Sequence, residues 1–139
     1  MILLDTNVIS EPLRRVPEPN VVSWLDAQPL ESLYVSAITI AELRAGIAML
    51  PAGKRRTGLR DNFEKQVLPI FTGRVLAFDI HCTQAYAEQM AKAKKAGLAI
   101  AAADGFIAAI AKTHEFAVAS RDEGPFRAAG VKVINPWIV

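Results

Sequence analysis

The chain contains little that could hold a soft metal ion or cross-link a fold. It has one cysteine, Cys82, and two histidines, His81 and His114. A lone cysteine excludes an intrachain disulfide and a multi-cysteine metal site, and it fits a reducing compartment such as the cytoplasm best. With so few sulfur and imidazole ligands, a structural zinc site is poorly supplied.

Long apolar stretches and several enzyme signatures are also absent. No stretch reaches the roughly 18 uninterrupted apolar residues of a membrane span, so no membrane association is expected. The apolar residues 1–4 have no basic leader and are followed by an acid, Asp5, which is unlike a signal peptide. There is no phosphate-cradling glycine loop, no recognisable serine–histidine–acid arrangement and no nucleophilic cysteine signature. These absences remove most competing enzyme classes.

What the chain does have is a large apolar fraction. Hydrophobic residues make up 52% of 139 residues, which is enough for a packed core and fits a single domain over residues 1–139. The net charge is only +2, from 16 basic and 14 acidic residues, which permits nucleic-acid binding without indicating it. The run Lys54-Arg55-Arg56, followed by Arg60, indicates either a solvated helix start or a contact for phosphates.

Short apolar runs alternate with amphipathic segments along the chain. The strand-like runs show no polar alternation, which is typical of strands buried on both faces. Alternating strands and helices predict crossover units, so we expect a three-layer α/β/α fold around a mainly parallel sheet of five strands. The predicted strands cover residues 1–5, 33–36, 74–78, 116–119 and 131–134, and the predicted helices cover a stretch from Asn7 to the first prolines, then 20–26, 37–50, 54–71, 81–95 and 101–113.

Two local details follow from residue preferences. Asn20 is expected to cap the helix over 20–26, because asparagine is favoured at that position. On the helix over 54–71, the apolar residues recur at helical spacing and are expected to form one buried stripe; they are Leu59, Phe63, Val67 and Ile70.

Two acids stand where strands end. Asp5 closes the first strand, and Asp122 follows the fourth. In open α/β sheets, ligands bind at the carboxyl ends of the strands, so both acids are candidates for a functional site. Each also has a structural interpretation, Asp5 as a helix cap and Asp122 as a turn residue beside Gly124.

Two further acids lie on predicted helices. Glu42 falls within 37–50 and is read either as a site residue or as a solvent-facing glutamate. Asp104 shares a helix face with Ile107 and Ala108, which should pack inward. An unpaired buried carboxylate is costly, so Asp104 should have a cation or a donor nearby; its alternative is an acid favoured by the helix dipole.

Convergence of these acids would demand a counter-ion. Two carboxylates about 5 Å apart repel by about 3 kcal/mol at an effective dielectric constant of about 20. A hard divalent cation takes oxygen ligands, so we expect Mg²⁺ or Mn²⁺. Such an ion neutralises phosphate charge and lowers the pKa of a bound water, which is the chemistry of phosphodiester hydrolysis.

The acids lie in four segments that together resemble the PIN-domain ribonuclease toxins of the VapC type. Each segment is weakly specific, but their order and spacing match across the whole chain. The ending Asn135-Pro136-Trp137 resembles that of the FitB-like members in particular. The four segments are residues 1–7 (MILLDTN), 36–43 (SAITIAEL), 101–109 (AAADGFIAA) and 120–126 (SRDEGPF).

The resemblance implies a Mg²⁺- or Mn²⁺-dependent endoribonuclease that acts on RNA in the cytoplasm. It implies that Asp5, Glu42 and Asp104 are catalytic and metal-binding acids. Asp122 joins them at the family's most variable position. Thr6 would be a supporting hydroxyl, with a turn or capping role as its alternative. The resemblance also implies a small antitoxin whose DNA-binding domain would place the pair on its promoter.

Two other functions compete with this one. A phosphoacceptor receiver domain is disfavoured, because its acidic pair after the first strand and its lysine at the last strand are missing. A regulatory PIN-fold module, acting mainly in complex with a DNA-binding antitoxin on promoter DNA, stays open.

We also expect a homodimer and an antitoxin groove near residues 7–15 and 37–71. Apolar side chains on short, proline-punctuated helices would leave an exposed patch there, and such a patch marks an interaction surface. These side chains are Val16, Val21, Val22, Trp24 and Leu25.

Overall fold

A computed structural model describes residues 1–139 and contains one five-stranded sheet. All four strand pairs are parallel, and the strand order is β3-β2-β1-β4-β5. The parallel sheet is as predicted from the alternation of apolar runs and helices. The strands are β1 (Ile2–Leu4), β2 (Leu33–Ser36), β3 (Val75–Leu76), β4 (Ala117–Ala119) and β5 (Val133–Ile134).

Helices cover both faces of the sheet, which confirms the three-layer arrangement. Leu3 of β1 belongs to a core formed with α5, α6 and α7, whereas Leu4 belongs to a core formed with α1, α2 and α3. Neither leucine is more than 1% exposed, as expected for a strand buried on both faces. No helix has the length and apolar character needed to cross a membrane. The helices are α1 (Thr6–Ser10), α2 (Pro19–Ala27), α3 (Ala37–Ala48), α4 (Lys54–Asn62), α5 (Ile80–Lys95), α6 (Ala102–His114) and α7 (Glu123–Ala128).

The direction of winding reverses at β1. The chain proceeds from β1 to β2 and β3 on one side, and then adds β4 and β5 on the other side. The loops that follow β1 and β4 therefore diverge and leave a crevice at their carboxyl ends, which is where ligands bind in open α/β sheets. Asp5 and Ser120 directly follow these two strands.

The predicted helix over 54–71 is helical throughout, but it is not a single α-helix, and its predicted apolar stripe is wrong at Ile70. The α-helix ends at Asn62, a π-helical turn spans Phe63–Val67, and a 3-10 turn spans Leu68–Phe71. Because a π turn accommodates an extra residue, the apolar stripe shifts by one position. Ile70 is consequently 43% exposed, and Phe71 is buried in its place.

The predicted cap and exposed patch around α2 were also wrong. Glu18 caps this helix and accepts a hydrogen bond from the Asn20 amide, with Pro19 in the first turn, where proline is favoured. Val21 is fully buried, and Trp24 packs on the same core along with Leu25. Of the expected apolar patch, only Val16 is largely exposed, at 82%.

Several elements are shorter than predicted. The third and fifth strands keep two residues each, and both are edge strands with one neighbour. Helix α3 ends at Ala48 rather than at Leu50, because the residue before Pro51 is disfavoured in helical conformation.

Candidate active site

A polar cavity of about 270 Å³ occupies the crevice between β1 and β4. None of its lining residues is hydrophobic or basic, and the lining includes the four acids and the hydroxyl predicted from the sequence. The seven residues are Asp5, Thr6, Asn7, Ser10, Glu42, Asp104 and Asp122.

Asp5 is the most buried acid of the cavity, at 4% exposure. It has extended backbone angles and caps α1, because its Oδ1 accepts a hydrogen bond from the Thr6 amide at 2.8 Å. Its Oδ2 accepts a hydrogen bond of 2.7 Å from the Ser120 hydroxyl. Helix capping and a place in the cavity, two interpretations weighed as alternatives from the sequence, therefore hold together.

Glu42 is exposed on α3 but is oriented toward the cavity by a hydroxyl. The Thr6 hydroxyl donates to Glu42 Oε1 at 2.7 Å and lies 3.2 Å from the hydroxyl oxygen of Thr39. Thr39 is fully buried, and its amide donates to the Ser36 hydroxyl oxygen that caps α3. The Thr6 hydroxyl at the start of α1 therefore connects this helix to α3, through Thr39 and Glu42.

Asp122 is connected to α1 through the amide side chain of Asn7. Asn7 Nδ2 lies 3.5 Å from Asp122 Oδ2 and 3.4 Å from the Ser120 hydroxyl oxygen, while Asn7 Oδ1 accepts a hydrogen bond from the Arg121 amide. The Asp122 amide donates to the Ser120 hydroxyl oxygen at 3.0 Å. Asp122 also precedes α7, yet its side chain makes no capping hydrogen bond, so its carboxylate is available to the cavity.

Asp104 lies in the first turn of α6 and is half-buried. Ile107, Ala108 and Ala111, three, four and seven residues further on, are fully buried, so the predicted inward face is confirmed. Asp104 therefore reaches the cavity from the helix that packs against the sheet.

Burial and mutual repulsion raise the pKa values of two of these acids. The pKa of Asp5 is raised to about 6: desolvation is the main cause, hydrogen bonds from Ser120 and Thr6 oppose the rise, and the charges of Asp104 and Glu42 add to it. The pKa of Asp104 is raised by desolvation and by the charges of Asp122 and Glu42. The cavity thus concentrates negative charge that no protein cation offsets.

The donor set suits a hard divalent cation. It offers carboxylate, hydroxyl and amide oxygens, which Mg²⁺ and Mn²⁺ prefer, and no sulfur or imidazole. A cation would also offset the free-energy cost of ionising the buried Asp5. As the side chains stand, no three of the acids form a closed metal-binding cluster.

Three polar residues of the site were not identified from the sequence. Ser120 is fully buried and donates a hydrogen bond to Asp5, Asn7 connects α1 to Asp122, and Ser10 lines the cavity. Ser120 carried a usable signal, because it is the first polar residue after a buried strand, in the position that Asp5 holds after β1.

Comparison with known proteins extends over the whole chain. The PIN domain family model matches residues 2–132. Plasmid stability protein StbB of Pseudomonas syringae pv. tomato is 64% identical over 137 residues, covering 99% of this chain and 99% of that protein. VapC ribonuclease Y4jK of Sinorhizobium fredii and toxin FitB of Neisseria gonorrhoeae are each 56% identical over 137 residues; these cover 99% of this chain, 98% of the first protein and 99% of the second.

Solved structures show the same similarity in three dimensions. The crystal structure of FitAcB from Neisseria gonorrhoeae matches with a TM-score of 0.97 and 55% identity, covering 100% of both chains. The structure of FitAB bound to an IR36 DNA fragment matches with a TM-score of 0.95 and 55% identity, covering 99% of this chain and 96% of that chain.

Proposed function

Because this chain belongs to the PIN-domain family, we propose that it is the toxin of a toxin–antitoxin pair and a Mg²⁺- or Mn²⁺-dependent endoribonuclease. Two relatives that match it over their full length carry the names VapC ribonuclease and toxin. RNA is the proposed substrate, and its phosphodiester bonds are the bonds hydrolysed. We assign the reaction to the cytoplasm, where RNA and the partner's promoter DNA occur together.

The observation that carries this proposal is the acidic cavity. Its lining has four acids and no basic residue, and one of the acids is 4% exposed. Ionising such a set of carboxylates together is costly unless a cation lies beside them. A phosphate diester, itself an anion, would be repelled from this cavity unless a divalent ion lay between them.

We assign the roles of the residues as follows. Asp5 and Asp104 would hold the ion, together with Glu42 and Asp122, and these four acids form the catalytic set. The bound ion supplies phosphate neutralisation and an acidified water. Thr6 supports the set by fixing Glu42 through its hydroxyl.

Hydrogen bonds keep the buried acid charged and ready for the cation. Ser120 and the Thr6 amide each donate to one oxygen of Asp5, and both bonds lower its pKa. Hydrogen bonds to an ionised group are about twice as strong as neutral ones. These two donors therefore favour the form of Asp5 that binds metal.

Cleavage of RNA by the purified chain tests the proposal. Total RNA is incubated with the partner-free protein in Mg²⁺, in Mn²⁺ and in EDTA, and the cut sites are mapped. We expect cleavage that needs the ion and is absent with Asp5→Asn. Cleavage that persists in EDTA would refute the metal requirement.

A second candidate function has an observation in its favour. FitAB, whose structure matches this chain at 55% identity, has been solved on DNA. The chain would then act mainly as a regulatory PIN-fold module on promoter DNA, bound to a DNA-binding antitoxin. A wild-type chain that assembles on promoter DNA with its partner, but cleaves no RNA in Mg²⁺ or Mn²⁺, would favour this function.

Two partner proposals accompany the toxin assignment. A groove of about 330 Å³ runs beside the acidic cavity between α1, α3 and α4, with Leu13, Leu43 and Leu59 in its lining, and we assign the antitoxin to it. Co-expression with the neighbouring small reading frame should yield a complex with no nuclease activity.

The chain is also proposed to be a homodimer. Light scattering after size exclusion should give twice the 15.1 kDa chain mass. A monomer at tens of micromolar would contradict this proposal.

A further inference from the structure

Three arginines on α4 form a positively charged surface that the proposed catalytic site does not use. Arg55 and Arg56 lie in the first turn of this helix and Arg60 in its last turn, and Arg55 and Arg60 are exposed. At about 100° per residue they fall within an arc of about 140°, and Asp61 lies on the opposite face. We refer to these three residues as the arginine ledge.

The arginine ledge is the uncompensated part of a larger basic region. Arg44 also lies beside it, but its guanidinium makes two hydrogen bonds to Glu64, of 3.1 and 2.7 Å, that satisfy its charge. None of the three ledge arginines forms an ion pair. Arg56 donates only to the carbonyl of Leu50, at 3.4 Å.

A continuous path joins the acidic cavity to the arginine ledge. Thr6, Ser10 and Glu42 line both the cavity and the neighbouring groove, and that groove contains Arg55. Ile47 then separates the groove from a third depression of about 350 Å³, whose lining includes Arg56 and Arg60.

The stretch of α3 that borders this path is on the scale of a few nucleotides. From Glu42 to the end of α3 the helix rises about 9 Å at 1.5 Å per residue, which is about three steps of a stacked nucleic-acid strand at 3.4 Å each. The groove between the two ends carries apolar side chains, among them Leu43 and Leu50, against which bases or riboses can pack.

We propose that the arginine ledge binds RNA phosphates that lie a few nucleotides away from the scissile bond. This rests on the proposed ribonuclease function and adds its substrate-binding surface. Charge complementarity favours a polyanion at the ledge, because its arginines have no acidic partner. The adjacent acidic cavity repels phosphate, so the ledge supplies the attraction that brings an RNA strand to the cavity. Its effect should therefore appear in RNA affinity and in the salt dependence of binding.

A matched pair of triple variants tests the proposal by binding. The ledge variant is Arg55→Gln, Arg56→Gln, Arg60→Gln; the control is Lys94→Gln, Lys95→Gln, Lys112→Gln, which removes the same charge from exposed sites on α5 and α6. Binding of a fluorescent mixed-sequence 20-nucleotide RNA is measured in Mg²⁺ in an Asp104→Asn background. We expect the ledge variant to bind at least about tenfold more weakly, with a salt slope smaller by about 2, since each single-strand phosphate contact contributes about 0.7.

The same substitutions in the wild-type background test the role by kinetics. We expect KM to rise at least about tenfold while kcat stays within about twofold, because the ledge acts away from the reacting bond. Since Arg56 also holds the Leu50 carbonyl, the double variant Arg55→Gln, Arg60→Gln is measured alongside thermal melts. It should show about two-thirds of the change in salt slope that the triple variant shows.

Several outcomes overturn the proposal. Equal weakening by the lysine control would mean that only net charge matters. Unchanged RNA affinity with loss of antitoxin co-purification would assign the ledge to the protein partner. A fall in kcat at constant KM would make it part of the catalytic machinery. Failure of the ribonuclease function is separable, because ledge-dependent RNA binding by a wild-type chain that never cleaves RNA would refute the enzyme and retain the ledge.

Discussion

The strand side and the helix side of the acidic cavity are built differently. On the strand side, Asp5 is 4% exposed and both of its oxygens accept hydrogen bonds, one of them from the fully buried Ser120. On the helix side, Glu42 is exposed and has one contact to a polar side chain, the 2.7 Å hydrogen bond from Thr6. Asp122, which follows β4, is exposed as well, and its carboxylate lies 3.5 Å from the Asn7 side chain.

This difference means that the buried acid, and not the exposed acids, accounts for most of the free-energy cost of forming the site. Removing a carboxylate from water is costly, and the raised pKa of about 6 for Asp5 reflects that cost. The exposed acids remain hydrated and cost little. We therefore expect substitutions on the strand side to change stability and activity together, and substitutions on the helix side to change mainly activity.

Asp5→Asn should have the largest effect. Asparagine can keep the hydrogen bond from the Thr6 amide and donate to Ser120, while removing the buried charge. In EDTA at pH 7.5 we expect a gain in unfolding free energy of up to about 3 kcal/mol, from a pKa difference of about two units. RNA cleavage should fall by at least about 100-fold, which is more than the usual loss when a residue that only hydrogen-bonds a metal ligand is replaced. Thermal melts and cleavage assays check both; Glu42→Gln, the helix-side control, should lose activity at nearly constant melting temperature.

The pH dependence of stability should show the same cost in the wild-type chain. The pKa of Asp5 is about 6 in the folded state, above its ordinary value of 3.8. This group's contribution is therefore fully present below about pH 4 and is lost as the pH rises to about 6, by about 3 kcal/mol. Denaturant unfolding in EDTA from pH 4.5 to 7.5 captures about two-thirds of this loss, as the difference between wild type and Asp5→Asn. A difference in unfolding free energy that does not grow with pH would show that ionising Asp5 does not destabilise the folded chain.

Ser120→Ala should have an intermediate effect on the strand side. It removes a hydrogen bond to a buried charged group, which is worth about 1.5–3 kcal/mol, and it raises the pKa of Asp5 further. Activity should fall about 10- to 100-fold, with the rise in the pH profile moved to higher pH. Ser10→Ala is the matched control, because Ser10 lines the same cavity but donates to the Asn7 carbonyl. Equal losses in both variants would contradict a specific role for Ser120.

Thr6→Val should have the smallest effect. It removes the 2.7 Å hydrogen bond to the exposed Glu42 but keeps the backbone amide that holds Asp5. We expect about a tenfold loss of activity and less than about 1 kcal/mol of stability. Thr6→Ser, which keeps the hydroxyl, should restore activity; a similar loss in both variants would point to packing rather than to orientation of Glu42.

The comparison also explains which features could be predicted from the sequence. Buried strands leave continuous apolar runs, so the strand that precedes Asp5 was evident. Asp104 was placed inward because its neighbours at helical spacing are apolar. Both inferences depend on local patterns, which a single sequence contains.

Features that depend on distant partners could not be predicted. Ser120 and Asp5 are 115 positions apart, and nothing near the serine in the sequence identifies its acceptor. The π turn at Phe63–Val67 is set by packing of Phe63 and Phe71 into the core rather than by the local pattern. The role of Asn20 was likewise decided by tertiary contact, since its side chain donates to the carbonyl of Trp137 while Glu18 caps the helix.

The most direct test of the account is RNA cleavage by the wild-type chain and by Asp104→Asn, purified identically and free of any antitoxin. The proposed four-acid metal site predicts cleavage by the wild type in Mg²⁺ or Mn²⁺, none in EDTA, and none by the variant in any condition. Thermal melts should show the variant folded and at least as stable as the wild type without metal, because one of several repelling charges is gone. Cleavage by folded Asp104→Asn at the wild-type rate would contradict the account.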